Sequence, residues 1–308
     1  MDAEQQADSA EQHRLHKPGV VGSSPTAATS PGVEWNYADA KTYHGYRRVN
    51  ASRLKSLHSS ALVYAEEYVH GTAPKKESDA LRWGTLVHLW AEQWPNFSAD
   101  TLAVAEPSMV TATGSLSVAK SREWVASLRD DQFPVTPVEE QRFWRQVGQI
   151  ENNPAAVELF EASPERLREF NLLFEWLGVE CKCRIDGATP DCIYDIKTTR
   201  DAHPPSQFGR SAANWHYHIQ AAFYLHAAKL AGWKHHSPRF IVTSNVYPFH
   251  CSVMHFPDEV LAHADELCES LLRELTLRQQ LNWWTPKDYG TSVEIPARFF
   301  GLTGGSRW

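Results

Sequence analysis

Residues 181–202 read CKCRIDGATPDCIYDIKTTRDA. The stretch carries two carboxylates and a lysine, Asp186, Asp195 and Lys197, each on a segment that reads as a β-strand. Side chains alternate along a strand, so Asp195 and Lys197 project from one face. Asp186 ends the preceding strand and can come level with them. Two carboxylates at one spot repel each other, and a divalent cation relieves the repulsion. Mg²⁺ suits the arrangement because it prefers oxygen ligands and keeps several waters. A lysine two residues along can hold or deprotonate one of those waters. Metal, water and lysine together are the equipment for hydrolysing a phosphodiester. A D-x-K tripeptide by itself also occurs as a solvated strand edge, so the rest of the chain has to decide.

The chain has 308 residues, enough for one large domain or two small ones. No apolar run is long enough to span a bilayer, and the polar N-terminus lacks the apolar stretch of a secretory signal. The five cysteines, Cys181, Cys183, Cys192, Cys251 and Cys268, include no C-x-x-C pair. An odd count without that pairing argues against a disulfide framework and for a reducing cytoplasm. It also falls short of a closed zinc or iron–sulfur site. The net charge of -7 excludes a generally basic nucleic-acid coat. A nuclease remains open, since a local basic groove suffices and the active site is itself acidic.

Residues 1–34 are rich in Ser, Pro, Ala and Gly without apolar periodicity, and read as disordered. The stretch PGVVGSSPTAAT within them resembles a translated transfer-RNA gene, which would place the true start further in. Residues 35–308 form the folded domain, with folding signals from about Val49. Asn50 caps a helix running through Leu54, Leu57, Leu62 and Tyr68. A second helix starts near Ser78, with Leu81, Gly84, His88 and Ala91 along one face. Trp83, Val87, Trp90 and Trp94 line the neighbouring stripe, the mark of a buried helix. Further helices fit 118–129, 137–151 and 154–161. FNLLFEW and VECKCRID alternate on both sides of Leu177-Gly178, as a hairpin does, and CIYDIKTT is a third strand. A long helix over about 206–231, a second strand pair and a helix from Asp258 to about Leu281 complete the chain. The order implies an α+β or mixed α/β fold, a central mixed sheet flanked by helices.

His88 sits mid-helix on a mostly apolar face, where a histidine is ordinarily a satisfied core residue. Gly84 beside it would let another backbone approach closely. Gln220 and Tyr224 lie four apart on the helix after the D-x-K strand and share a face. There Gln220 can orient the lysine or a phosphate oxygen, and Tyr224 can stack or hydrogen-bond. The same spacing also serves plain packing. Arg184 precedes Asp186 by two and either neutralises a phosphate or pairs with a carboxylate. Lys182, Arg200, Arg210, Arg82, Lys75 and Lys76 are candidate phosphate contacts, each equally readable as surface charge. Glu175, on the first hairpin strand, is a candidate extra carboxylate. Of the twelve tryptophans, those such as Trp83 and Trp90 read as core, and exposed ones as base-stacking platforms.

With these residues in place, the chain resembles the PD-(D/E)-x-K nuclease superfamily, and within it the exonuclease domain of the RecE type (exodeoxyribonuclease VIII). The resemblance covers about residues 48–290 and rests on ordered pieces. NASRLKSLHSSALVYAEEYV resembles the opening helix and ALRWGTLVHLWAEQW the G-T-x-x-H helix. CKCRID, YDIKTT and YHIQAAFYLHA resemble the catalytic strands and following helix, and FIVTSNVYPFHCSVMHFPDE the last hairpin. It implies a restriction-endonuclease-like core, with His88, Asp186 and Asp195 at the metal and Lys197 at the attacking water. Gln220 and Tyr224 are implied as the supporting motif. Ile185 stands where the family usually has proline, a position that shapes the strand end and carries no ligand. The resemblance further implies Mg²⁺, with Mn²⁺ as a substitute, and digestion of linear double-stranded DNA from the 5′ end to leave 3′ tails for recombination by strand annealing. Its implied partners are a RecT-like single-strand annealing protein and further copies of the chain in a ring. Rival readings are a RecB-like or CRISPR-adaptation single-strand nuclease, an endonuclease of the superfamily, and a DNA-binding protein on an inactive nuclease fold.

Overall fold

The computed structural model describes residues 33–37, 40–74, 78–234 and 238–285. Residues 1–32 of the segment expected to be disordered, and Lys75 and Lys76, lie outside the described residues. From the N-terminal side, β1 (Glu34–Asn36) and α1 (Ala40–Gly45) precede α2 (Ala51–Ser59) and the short α3 (Ala61–Tyr64). Then come α4 (Asp79–Gln93), β2 (Leu102–Val104), α5 (Val118–Ser127), β3 (Phe133–Val135), α6 (Pro137–Glu151) and α7 (Pro154–Ala162). The hairpin strands are β4 (Arg168–Trp176) and β5 (Val179–Ala188), followed by β6 (Ile193–Thr199). After α8 (Pro205–Asn214) and α9 (Tyr217–Leu230), β7 (Arg239–Ser244), β8 (Cys251–Met254) and α10 (Asp258–Leu281) close the described chain.

Six strands form one mixed sheet in the order β1-β4-β5-β6-β7-β8, and β2 and β3 form a small parallel pair. Only β6 and β7 run parallel within the main sheet. A parallel pair cannot be closed by a tight turn, so a helical crossover, α8 and α9, joins them. The β4–β5 turn is the expected Leu177-Gly178 pair, both left-handed at φ 53° and 78°. That backbone matches the twist of the flanking strands.

The sheet lies between two helical layers. On one face Phe170, Leu172, Phe174, Cys183 and Ile185 pack against Leu54 and Leu57 of α2, Phe223 of α9 and Leu272 of α10. On the other, Tyr194, Ile196 and Ile241 pack against Trp83, Val87 and Trp90 of α4 and Phe143 and Val147 of α6. This is the mixed α/β, restriction-endonuclease-like architecture expected of the sequence. The five cysteines are free thiols. Among the described residues no helix is long and apolar enough to cross a membrane.

Four local expectations are corrected. The single helix from Asn50 through Tyr68 is broken at Ser60, which is extended (φ -167°, ψ 128°) and accepts the Val63 N–H as cap of α3. The single helix over 206–231 is broken at Trp215-His216, where His216 turns left-handed (φ 52°, ψ 44°). Both breaks lie where apolar spacing continues, so periodicity alone runs straight through them. Leu81, grouped with Gly84, His88 and Ala91 along one face of a helix expected to be buried, is 57% exposed, because the buried stripe runs through Trp83, Leu86, Val87, Trp90 and Ala91. Ordered structure also begins well before Val49. β1 opens at Glu34 and pairs with β4, and Trp35 stacks on Phe170 at 5.1 Å.

Candidate active site

The site lies where β5 and β6 part. They share a ladder only at Gly187↔Tyr194 and Ala188↔Ile193. Further along β5 the same edge is taken by Val49, which accepts the Lys182 N–H (2.7 Å) and donates to Glu180 O (2.9 Å). Between these two partners the strands fork, and Asp186 stands at the fork. Its Oδ2 accepts the Ile196 N–H at 2.7 Å, in place of the ladder bond that β5 no longer supplies. Gly187 is demanded by packing: an added Cβ would overlap the Tyr194 ring lying against it. So the residue after Asp186 has no side chain because the ring of the facing strand fills that space.

Asp195 and Lys197 share a face of β6, as alternation requires, and form an ion pair through Asp195 Oδ2. Asp195 Oδ1 accepts from Gln220 Nε2 at 2.6 Å. The break at His216 starts α9 afresh and brings its Gln220 side to the fork. Tyr224 follows one turn later, half-buried. Burial raises its pKa well above the ordinary phenol value, and Asp195 and Asp186 are close enough to push it further.

His88 reaches the fork from α4 on the opposite layer. Two buried polar links brace that helix. Trp83 Nε1 donates to Gln146 Oε1 (2.7 Å), whose Nε2 donates to Thr243 Oγ1 (3.2 Å). At the far end Arg168 donates to the carbonyls of Phe160 (2.8 Å), Ser163 (2.9 Å) and Trp94. An added Cβ at Gly84 would sit 3.5 Å from Thr198 Oγ1, an ordinary contact. The close backbone approach expected of Gly84 is therefore not what the structure uses it for.

His88 Nδ1 lies 3.4 Å from both Glu169 Oε1 and Asp186 Oδ2. Glu169, and not the candidate Glu175, is the extra carboxylate beside His88 and Asp186. Glu175 is exposed at the turn end of the hairpin, paired with Glu180. Counting back from Trp176↔Val179 across the two-residue turn sets Glu169 opposite Asp186. Arg184 Nε donates to Glu169 Oε2 at 2.5 Å, so Arg184 pairs with a carboxylate. One ligand atom from each of His88, Glu169 and Asp186 lies within 4.8 Å of the others.

The electrostatics follow from this crowding. Burial, with the charges of Asp195 and Glu169 and against the pull of His88, pushes Asp186 up to about 7. Burial opposes charge on His88, but Asp186 and Glu169 outweigh it and hold its pKa at about 9. Burial likewise opposes charge on Lys197, yet Asp195 and Asp186 keep its pKa above the usual lysine value.

Other predicted positions are held elsewhere or stand exposed. Lys182 is buried, donating to the carbonyls of Tyr43 (2.6 Å) and Tyr46 (2.8 Å), so its charge is turned inward. Arg82 is held by Glu139 and the Pro134 carbonyl (2.8 Å). Arg200 and Arg210 are exposed. Trp83 and Trp90 are core, whereas Trp215 is 66% exposed. Two residues that sequence reading passed over reach the site. Lys55 Nζ of α2 donates to Gln220 Oε1 at 3.5 Å, and Lys197 Nζ lies 4.9 Å from the ring centre of Tyr217. Both contacts are long-range pairings without a local signal.

Residues 50–286 match a family described as a PDDEXK-like domain of unknown function (DUF3799). A solved structure from Eubacterium rectale, described as a "Putative exonuclease", superposes with a TM-score of 0.58 at 16% identity. The superposition covers 87% of this chain and 98% of that one, and at such identity it speaks for the fold. No curated protein matches the sequence.

Proposed function

The chain belongs to the PDDEXK-like family DUF3799, and from that premise we propose that it is a divalent-metal-dependent nuclease, an exonuclease of the RecE type acting on linear double-stranded DNA. The observation that carries the reading is the fork. His88, Glu169 and Asp186 converge there within 4.8 Å, beside the Asp195–Lys197 ion pair.

The donor set fits a small hard cation, because carboxylate oxygens dominate it and one imidazole completes it. His88, Glu169, Asp186 and Asp195 are the residues to hold Mg²⁺, or Mn²⁺ in its place. Bound there, the cation supplies positive charge to a phosphate oxygen and acidifies a water. The chain's own residues do the rest. Asp186 is fixed by the Ile196 N–H, and Asp195 by Gln220 and Lys197, so neither has to reorganise during reaction. Lys197, with its raised pKa, carries its proton. It is placed to orient the attacking water or a phosphate oxygen as a donor. Arg184 balances Glu169 and keeps the cluster from excess negative charge. Arg200 and Arg210 are the exposed candidates for backbone phosphates.

The finer reading, 5′-to-3′ digestion leaving a 3′ single strand, is supported by the RecE resemblance. So are a RecT-like annealing partner and a ring of subunits. The description of the Eubacterium rectale protein points the same way at the level of exonuclease. The test is digestion of a linear duplex with Mg²⁺, labelled separately at its 5′ and 3′ ends, beside a covalently closed circle. The expected result is early release of the 5′ label with the circle intact. Early release of the 3′ label would reverse the polarity, and cutting of the circle would make the protein an endonuclease.

A further inference from the structure

Lys55 is brought to the fork by the same feature that makes the fork. Val49 bridges to β5 at Cys181, so the start of α2 fills the gap that β6 leaves. One turn in, the half-buried Lys55 side chain extends towards α9. Its Nζ donates to Gln220 Oε1 at 3.5 Å and lies 5.4 Å from the ring centre of Tyr217, the ring that Lys197 also faces. Among the described residues Lys55 makes no ion pair of its own. A partly buried ammonium without a carboxylate partner needs another source of stabilisation. Burial and the nearby Lys197 both disfavour its charge, and Asp195, on the far side of Gln220, offsets part of that cost.

The chemistry of the amide makes this link directional. Gln220 offers one acceptor oxygen and one donor nitrogen. Asp195 needs a donor and Lys55 needs an acceptor, so the two together allow a single orientation of the amide. Without Lys55 the amide oxygen loses its donor, so Gln220 is held only at its Asp195 end and fixes the carboxylate less firmly.

We propose that Lys55 is a positioning residue for the metal site, fixing the Gln220 amide so that Gln220 in turn holds Asp195. The assignment rests on the metal-dependent nuclease reading and deepens it. It differs from two simpler roles. A lysine that contacts phosphate changes KM and the salt dependence of DNA binding. A lysine that acts only through its charge repels a cation, so its removal strengthens metal binding. A positioning lysine has the opposite sign, because its loss weakens metal binding, and its effect exists only while Gln220 is present.

The experiment is a double-mutant cycle with two readouts. Mn²⁺ affinity is measured by calorimetry without DNA, and kcat and KM are measured on a linear duplex with Mg²⁺. Lys55→Met and Gln220→Leu are each expected to weaken Mn²⁺ binding and lower kcat by about 10–100-fold, the range for partners that orient a metal ligand. KM for DNA stays unchanged. The double variant is no worse than Gln220→Leu alone, and Lys55→Arg keeps most of both properties. If Lys55→Met does not fold, Lys55→Gln takes its place in the cycle. Losses that multiply in the double variant, tighter Mn²⁺ binding by Lys55→Met, or a raised KM with kcat intact would overturn the assignment. Wild-type protein that neither binds Mn²⁺ nor cuts DNA would instead overturn the nuclease reading beneath it.

Discussion

Asp186 carries two demands at once. Its carboxylate replaces a missing sheet bond by accepting the Ile196 N–H, and it faces His88 as part of the candidate metal cluster. Burial lifts its pKa from 3.8 to about 7, so near pH 6 the folded protein keeps a proton that the unfolded chain has released. A pKa raised on folding contributes stability that is complete below about 4 and lost as pH rises through about 7. Cation binding has the opposite dependence, because the cation needs the carboxylate and must expel that proton. Apparent Mn²⁺ affinity should therefore rise from about pH 6 to about 9, as Asp186 and then His88 give up their protons, with proton release seen in calorimetry. Asp186→Asn should flatten the part of the rise below about 7. A wild-type affinity independent of pH across that window would remove Asp186 from the ligand set.

At the scale of elements, the site depends on how β5 divides its edge and on where α9 begins. α9 is locked to the hairpin by Phe223, which is fully buried with ring centres 5.3 Å from Phe174 and 5.8 Å from Trp176. Phe223→Ala should cost about 3–5 kcal/mol in urea denaturation, the usual loss for a buried aromatic. A loss below about 1 kcal/mol would mean that α9 does not pack as described. The strands were legible because alternation and the Leu177-Gly178 turn are local signals, and the D-x-K pattern stood on one of them. The helix breaks at Ser60 and His216 were not, since apolar spacing runs through both and only backbone geometry marks them. Glu169 was legible in principle by counting the hairpin register, but its side chain gains meaning only opposite Asp186. Lys55 and Tyr217 meet the site through tertiary contacts alone.

At the scale of the whole molecule, an acidic chain has to engage an acidic polymer. A net charge of -7 leaves no general attraction for DNA, so binding must rely on a local basic surface and on the cation at the fork. The placement of the fork suits that demand. Helices from both faces of the sheet converge on it, α4 bringing His88 and α9 bringing Gln220, while Arg200 and Arg210 stay exposed on the segments that follow β6. The central claim is that this fork hydrolyses DNA with a divalent cation. The most direct test is the time course of a linear duplex with and without Mg²⁺, for the wild-type protein and for Lys197→Ala and Asp195→Asn. The account predicts cleavage by the wild type only with the cation, and loss of cleavage with DNA binding retained in both variants. Normal turnover by either variant, or wild-type cleavage unaffected by chelation, would contradict it.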